Sequence, residues 1–178
     1  MHVFADVRQF VVLSDTHGLM RPEVEPYVQG ADLVLHAGDV GTARVLHWLR
    51  GFAPTLAVAG NVDGPALNLP ANDLFLVNGV LVYALHVLDQ LDLNPRTAGI
   101  GMVISGHSHR PRVEVRDGVL YCNPGSVGPR RFGLPVTLVQ IKADGDRWHG
   151  AFVDLGVAGG NRSPGPFPGD WTFDLPAR

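Results

Sequence analysis

A chain of 178 residues with 46% hydrophobic and 17% charged positions is sized for one folded domain and is too apolar to stay disordered. The formal charge of −3 supplies no general attraction for nucleic acid or an anionic membrane. Cys122 is the sole cysteine, which excludes an intramolecular disulfide and a Cys-rich zinc site. No apolar run approaches the roughly 18 residues of a membrane span. Asp6 and Arg8 also interrupt the region where a signal peptide needs its apolar stretch, so a soluble, cytoplasmic protein is expected.

In chain order, Phe10 to Leu13 and Asp32 to Leu35 are short apolar runs that predict buried strands, with a short helix offered between them by Glu23 to Gln29. Thr42 to Arg50 places Val45, Trp48 and Leu49 at helical spacing and meets Gly51 as its stop, and Thr55 to Ala59 predicts the next strand. Strands alternating with helices imply right-handed βαβ units and a parallel sheet. Leu74 to Val77 and Val80 to Leu85 then flank Asn78-Gly79, a type I′ hairpin signal. A fourth buried run, Met102 to Ser105, precedes a second hairpin, Arg112 to Arg116 and Val119 to Cys122 around Asp117-Gly118. A third pairs Val136 to Lys142 with Trp148 to Leu155 around Asp144-Gly145. The pattern predicts an α/β fold of two packed mixed sheets with helices outside, over residues 1–155. Residues 156–178, rich in Gly and Pro with isolated Trp171 and Phe173, read as an irregular tail.

Five of the eight histidines follow apolar runs closely: His17, His36, His86, His107 and His109. The carboxyl ends of parallel strands form the ligand crevice of an open sheet. Asp15 and His17 leave the first strand, His36 and Asp39 the second, Asn61 and Asp63 the third, and His107 and His109 the Met102 run. Glycines at 38, 60 and 106 allow tight turns and close backbone approach. Imidazoles crowded beside two carboxylates need a compensating cation, and that donor set suits Zn, Mn, Fe or Ni better than Ca or Mg. Seven candidates (Asp15, His17, Asp39, Asn61, His86, His107 and His109) exceed one tetrahedral ion and suit two ions that share a bridging carboxylate. Such pairs, about 3.5–4 Å apart, serve in-line attack at phosphorus.

The ordered motifs D-x-H at 15–17, G-D at 38–39, G-N at 60–61, His86 and G-H-x-H at 106–109 resemble the calcineurin-like metallophosphoesterase superfamily. With the short length and Asn123-Pro124-Gly125-Ser126, the chain is most similar to its small YfcE-type phosphodiesterase branch, over about Phe10 to Arg131. The resemblance implies a four-layer αββα sandwich. It implies a first ion held by Asp15, His17, Asp39 and His109, with Asp39 bridging to a second completed by Asn61, His86 and His107. Asp39, Asn61 and His107 would take part in catalysis. The implied cofactors are two divalent ions, Mn2+ first, with Fe, Zn or Ni as alternatives. The implied reaction is hydrolysis of a small phosphodiester by a metal-bridging hydroxide attacking in line. Membrane and polynucleotide partners are not expected, and a homo-oligomer is compatible with the sequence. The alternative is a non-catalytic scaffold, since a retromer subunit of this fold acts mainly in that way; retention of the full ligand set favours an enzyme.

Two positions depart from the pattern. Val87 follows His86 where the branch has Gly, and Val62-Asp63 follows Asn61 where larger relatives carry a His taken to protonate the leaving group. No general acid is therefore assigned, and Asp63 is the first candidate. His36 reads as an orienting or structural residue rather than a ligand. Arg130-Arg131 reads equally as a solvated pair or a substrate clamp, and Asn123 to Ser126 as a rigid loop supporting the site.

Overall fold

Strand β2 (Gln9–Leu13) buries every residue from Phe10 onward. Phe10 and Val12 belong to one apolar cluster and Val11 and Leu13 to another, the two-residue alternation of a strand covered on both faces. The computed structural model describes residues 1–144, 147–156 and 168–174. Its remaining strands are β1 (His2–Phe4), β3 (Leu33–His36), β4 (Thr55–Ala57), β5 (Asn72–Val77), β6 (Val80–Leu85), β7 (Met102–Ile104), β8 (Pro111–Arg116), β9 (Val119–Pro124), β10 (Thr137–Asp144), β11 (Arg147–Asp154) and β12 (Trp171–Asp174). Helix α1 (Glu25–Val28) continues a 3₁₀ turn at Pro22–Val24, and helix α2 (Ala43–Arg50) follows β3.

These strands make two mixed six-stranded sheets, ordered β12-β11-β10-β2-β3-β4 and β1-β5-β6-β7-β9-β8. Between them lies the largest core, with Phe10, Trp148 and Leu35 from one sheet meeting Phe75, Met102, Ile104 and Leu120 from the other. The Phe10 and Trp148 rings meet edge-on at 6.4 Å. Each fully buried side chain of this size contributes about 1.5–3 kcal/mol relative to exposure. Val45, Leu46 and Leu49 of α2 pack with Val24 and Val28 on the outer face of β2 and β3. The outer face of the other sheet is covered more thinly. Tyr83, Leu85 and Val103 pack beneath Leu88, Leu91 and Ile100, on a loop whose one regular turn is the 3₁₀ segment Leu88–Gln90. Among the described residues no helix is long and apolar enough to cross a membrane.

The first two hairpins follow from their turns: Asn78 and Gly79 have φ 48° and 83°, and Asp117 and Gly118 have φ 52° and 78°, the paired positive values of a type I′ turn. In the third, Asp144 pairs with Arg147, and residues 145–146 lie outside the described set. Three features differ from expectation. The Met102 strand does not extend the β2-β3-β4 parallel set but runs parallel between β6 and β9 in the other sheet. Strand β1, too short and exposed to signal itself, pairs parallel with β5. Residues 171–174, expected within an irregular tail, form an edge strand antiparallel to β11, with Gly150 opposite Trp171. A Cβ at Gly150 would sit 2.0 Å from the Trp171 indole, so this docking exists because residue 150 has no side chain. The other tail residues, 157–167 and 175–178, lie outside the described set.

Candidate metal centre

The loops after β2, β3 and β4 and those after β6 and β7 converge at one end of the sandwich, so the centre straddles both sheets. Backbone hydrogen bonds lace the first two loops together: Asp15 N–H donates to Gly38 O at 3.0 Å, His17 N–H to Asp39 O at 2.9 Å and Gly18 N–H to Val40 O at 2.8 Å. Gly106 N–H donates to His86 O at 3.0 Å and ties the loop after β7 to the end of β6. Asp15, His17, Asp39, His107 and His109 all adopt left-handed backbone, with φ between 49° and 67°. Non-glycine residues rarely do so, and five in one cluster mark a site where the fold accepts strain to aim side chains.

These turns bring five predicted ligands into one buried knot. Asp15 Oδ1 lies 3.2 Å from His109 Nε2, 3.9 Å from His86 Nε2 and 4.0 Å from His17 Nε2. Asp39 Oδ2 lies 3.3 Å from His86 Nε2 and 3.8 Å from His17 Nε2. Two donor groups result, Asp15-His17-His109 and Asp15-Asp39-His86, each with its ligand atoms within 4.8 Å of one another. His86 reaches the centre even though Val87 follows it. Asn61 and His107 sit apart from the knot on its exposed rim, joined by a 2.9 Å hydrogen bond between Asn61 Oδ1 and His107 Nδ1. The His107 ring stands edge-on to that of His86 at 5.3 Å.

Hydrogen bonds orient the knot without satisfying it. His107 N–H donates to Asp15 Oδ2 at 3.1 Å, and Val62 N–H to Asp39 Oδ1 at 3.1 Å. His86 Nδ1 donates to Ala37 O at 2.8 Å, which leaves Nε2 facing the carboxylates. Asp15 Oδ1 and His86 Nε2 are buried and have no aligned hydrogen-bond partner, their contacts being at ion-pair distance only. Such atoms are costly without a cation. A divalent ion would supply it, and the imidazole–carboxylate donors fit one.

The protonation tendencies agree with this geometry. Burial pushes the Asp39 carboxyl up, but the His86 contact and the Val62 amide outweigh it and hold it at about 2. Burial likewise disfavours a charged His86, yet Asp39, the Ala37 carbonyl and Asp15 together raise its pKa above the ordinary value. The His17 pKa is lowered, first by burial, with Arg131 adding to the effect against Asp39 and Asp15.

Other residues hold the loops. Asp63, the first candidate for a general acid, accepts backbone hydrogens from Val40 (3.0 Å), Gly41 (2.7 Å) and Gly60 (2.8 Å). Both its oxygens are engaged, so it is a brace between the Asp39 and Asn61 loops. His36 directs its hydrogen bonds to Gly38 and Thr16 rather than to a ligand side chain. Its Nδ1 accepts from Gly38 N–H at 3.2 Å, and its Nε2 donates to Thr16 Oγ1 at 2.8 Å, which donates onward to Val40 O at 2.9 Å. Complete burial pushes its pKa down to about 4. Asn123 donates to Gly106 O at 2.6 Å, and Ser126 Oγ to Asp15 O at 3.1 Å, so the 123–126 loop supports the site. The 123–126 loop was legible in the sequence as a support, whereas Thr16 carries no sequence signal of its role, because its partners His36 and Val40 lie in a distant segment. Arg130 turns to its own loop, its Nε donating to Leu134 O at 3.1 Å.

Residues 9–146 match the family model of the calcineurin-like phosphoesterase superfamily domain. The chain belongs to that superfamily. It is 34% identical over 128 residues to a probable metallophosphoesterase of Methanocaldococcus jannaschii, covering 65% of this chain and 66% of that protein. Among solved structures, Vps29 of Chaetomium thermophilum superposes with a TM-score of 0.75 at 15% identity, over 95% of this chain and 100% of that one. A novel archaeal phosphodiesterase superposes with a TM-score of 0.67 at 20% identity, over 82% and 99%. These two likenesses are of fold. The buried knot is the candidate metal centre of this superfamily member, with Asp15 common to both donor groups.

Proposed function

We propose that this superfamily member is a divalent-metal-dependent phosphodiesterase. The observation that carries the reading is the pair of buried, unpartnered ligand atoms, Asp15 Oδ1 and His86 Nε2, 3.9 Å apart between two carboxylates and three imidazoles. In this reading Asp15, His17, Asp39 and His109 hold one ion, and Asp39, Asn61, His86 and His107 hold a second. Mn2+ is the expected metal, with Fe, Zn and Ni as alternatives. When bound, the two ions supply Lewis acidity that acidifies water and offsets charge on the phosphoryl oxygens.

The chain's own contribution is position and field. Asp39 spans the two halves, within reach of both His17 and His86. Gly60 permits the close approach of its loop, since a Cβ there would lie 2.1 Å from Asp39 N. Asn61 and His107 are the exposed members of the set and so face an incoming phosphate. Two dications count +4, and Asp15, Asp39 and one hydroxide count −3, so the formal +1 that remains suits a monoanionic diester better than a dianionic monoester. The archaeal phosphodiesterase of the same fold supports that preference.

The test is metal content and turnover. Purified protein is expected to hold two ions per chain and to cleave bis(p-nitrophenyl) phosphate faster than p-nitrophenyl phosphate. Chelation abolishes the activity and Mn2+ restores it. Asp39→Asn is expected to lose an ion and at least 100-fold in rate. An Asp39→Asn chain with near-native turnover and two ions refutes the assignment. Likeness to Vps29 supports a second reading, a scaffold, which predicts substoichiometric metal and no turnover.

A further inference from the structure

At the edge of the centre, Phe132 is 81% exposed and holds left-handed backbone at φ 56°. A bulky residue gains little burial at such exposure and is disfavoured in that conformation, where the next residue, Gly133 at φ 66°, is at ease. The loop is nonetheless closed by its own hydrogen bonds, Leu134 N–H to Arg131 O at 3.0 Å and Arg130 Nε–H to Leu134 O at 3.1 Å. The ring it presents stands edge-on to His109, with centroids 6.1 Å apart and planes at 72°. Arg131 precedes it in the chain and is exposed. A solvent-open aromatic ring therefore flanks the His109 side of the donor knot, and an exposed arginine adjoins it in the same loop. Packing accounts for neither, and strain kept without a packing return points to a ligand.

We propose that Phe132 and Arg131 form a recognition wall for phosphodiesters carrying a planar aromatic substituent, nucleobase or aryl. The substituent stacks on Phe132 while the guanidinium lies beside the phosphate. This deepens the phosphodiesterase reading and rests on it. Every nucleobase or aryl ring offers a π-face, so the wall selects flatness rather than one base. Arg131 adds a positive charge that the anion meets before it reaches the metal ligands.

The test uses binding, so that it does not depend on turnover. Calorimetry on Mn2+-loaded protein compares four methylphosphonate monoesters of equal charge: methyl, cyclohexyl, phenyl and thymidine 5′. Stacking predicts that the two aromatic esters bind about 5- to 150-fold tighter than the methyl ester, and clearly tighter than cyclohexyl. Phe132→Ala collapses the phenyl-to-cyclohexyl ratio towards one, and Phe132→Tyr preserves it. Phe132→Gly suits the backbone, keeps the chain folded and still loses the ratio. Arg131→Gln weakens all four esters by a similar factor. A thymidine advantage over phenyl assigns the wall to nucleotides, and equal binding assigns it to aryl groups in general. The same ratio in wild type and Phe132→Ala overturns the proposal, as does absence of binding by all four esters to metal-loaded chain. Failure of metal-loaded chain to cleave bis(p-nitrophenyl) phosphate counts separately, against the hydrolase reading.

Discussion

Acidification should weaken the metal-free fold through His36, a residue outside the ligand set. The folded chain keeps this imidazole neutral, with its pKa down to about 4 against an ordinary 6.5. Burial is the largest cause; Asp15, Asp63 and Asp39 pull the other way, and His86 adds to the fall. The sign follows from proton counting. Between these two values the unfolded chain binds a proton at His36 that the folded chain does not, so stability falls as pH drops through that window. At about 1.4 kcal/mol per pH unit, the loss reaches roughly 2.5 kcal/mol by pH 4.5 and is negligible above about pH 7.5. A mesophilic domain commonly has 5–15 kcal/mol in all, so the effect is about a quarter of it. Asp39, held at about 2, contributes stability above its unfolded value of 3.8 and loses it only below that, outside the window. His86 acts in the opposite sense: its raised pKa makes protonation favour the folded chain as pH falls, and that contribution is lost as pH rises through the folded value. A difference experiment removes His86 from the comparison. Urea unfolding of wild type and His36→Gln is followed by circular dichroism in chelator from pH 8 to 4.5. Near pH 8 the variant should be less stable by about 1–3 kcal/mol, the cost of disturbing the Thr16 and Gly38 hydrogen bonds. The gap should close by roughly 2.5 kcal/mol at pH 4.5. Parallel stability curves, within about 0.5 kcal/mol throughout, would refute a buried neutral His36.

Three further outcomes are expected. Gly60→Ala forces a Cβ to within 2.1 Å of Asp39 N, so metal affinity measured by chelator competition should fall more than about 10-fold; native affinity would show that the loop yields freely. Asp63→Asn keeps one acceptor oxygen where three backbone N–H groups converge, and should cost about 2 kcal/mol in chelated melts without changing the shape of the pH–rate profile. A lost limb in that profile would restore Asp63 as an acid. Val62, 52% exposed on the rim, donates no proton, so diester rates should fall steeply as the leaving alcohol becomes less acidic; a flat series with chemistry rate-limiting contradicts this.

The amino-acid sequence by itself determined the local elements and the ligand candidates. Asn78-Gly79 and Asp117-Gly118 specify their turns because both central residues must take positive φ, and the structure shows these values. Asp15, His17, Asp39, His86 and His109 were legible because short apolar runs end at them, and strand ends are where a sheet presents polar groups. Which sheet each strand joins was decided only in three dimensions. Met102–Ile104 is apolar on both faces, as are β2 and β3, and nothing local distinguishes a place beside β3 from one between β6 and β9. Trp171–Asp174 became a strand because Gly150, on β11, leaves room for an indole. Asp63 looked like a candidate acid beside Asn61, and tertiary structure made it a brace by closing three backbone amides around it. In each case the deciding partner lies far along the chain. Turn chemistry is local to a few residues, whereas burial, pairing and hydrogen-bond satisfaction depend on what the fold brings alongside.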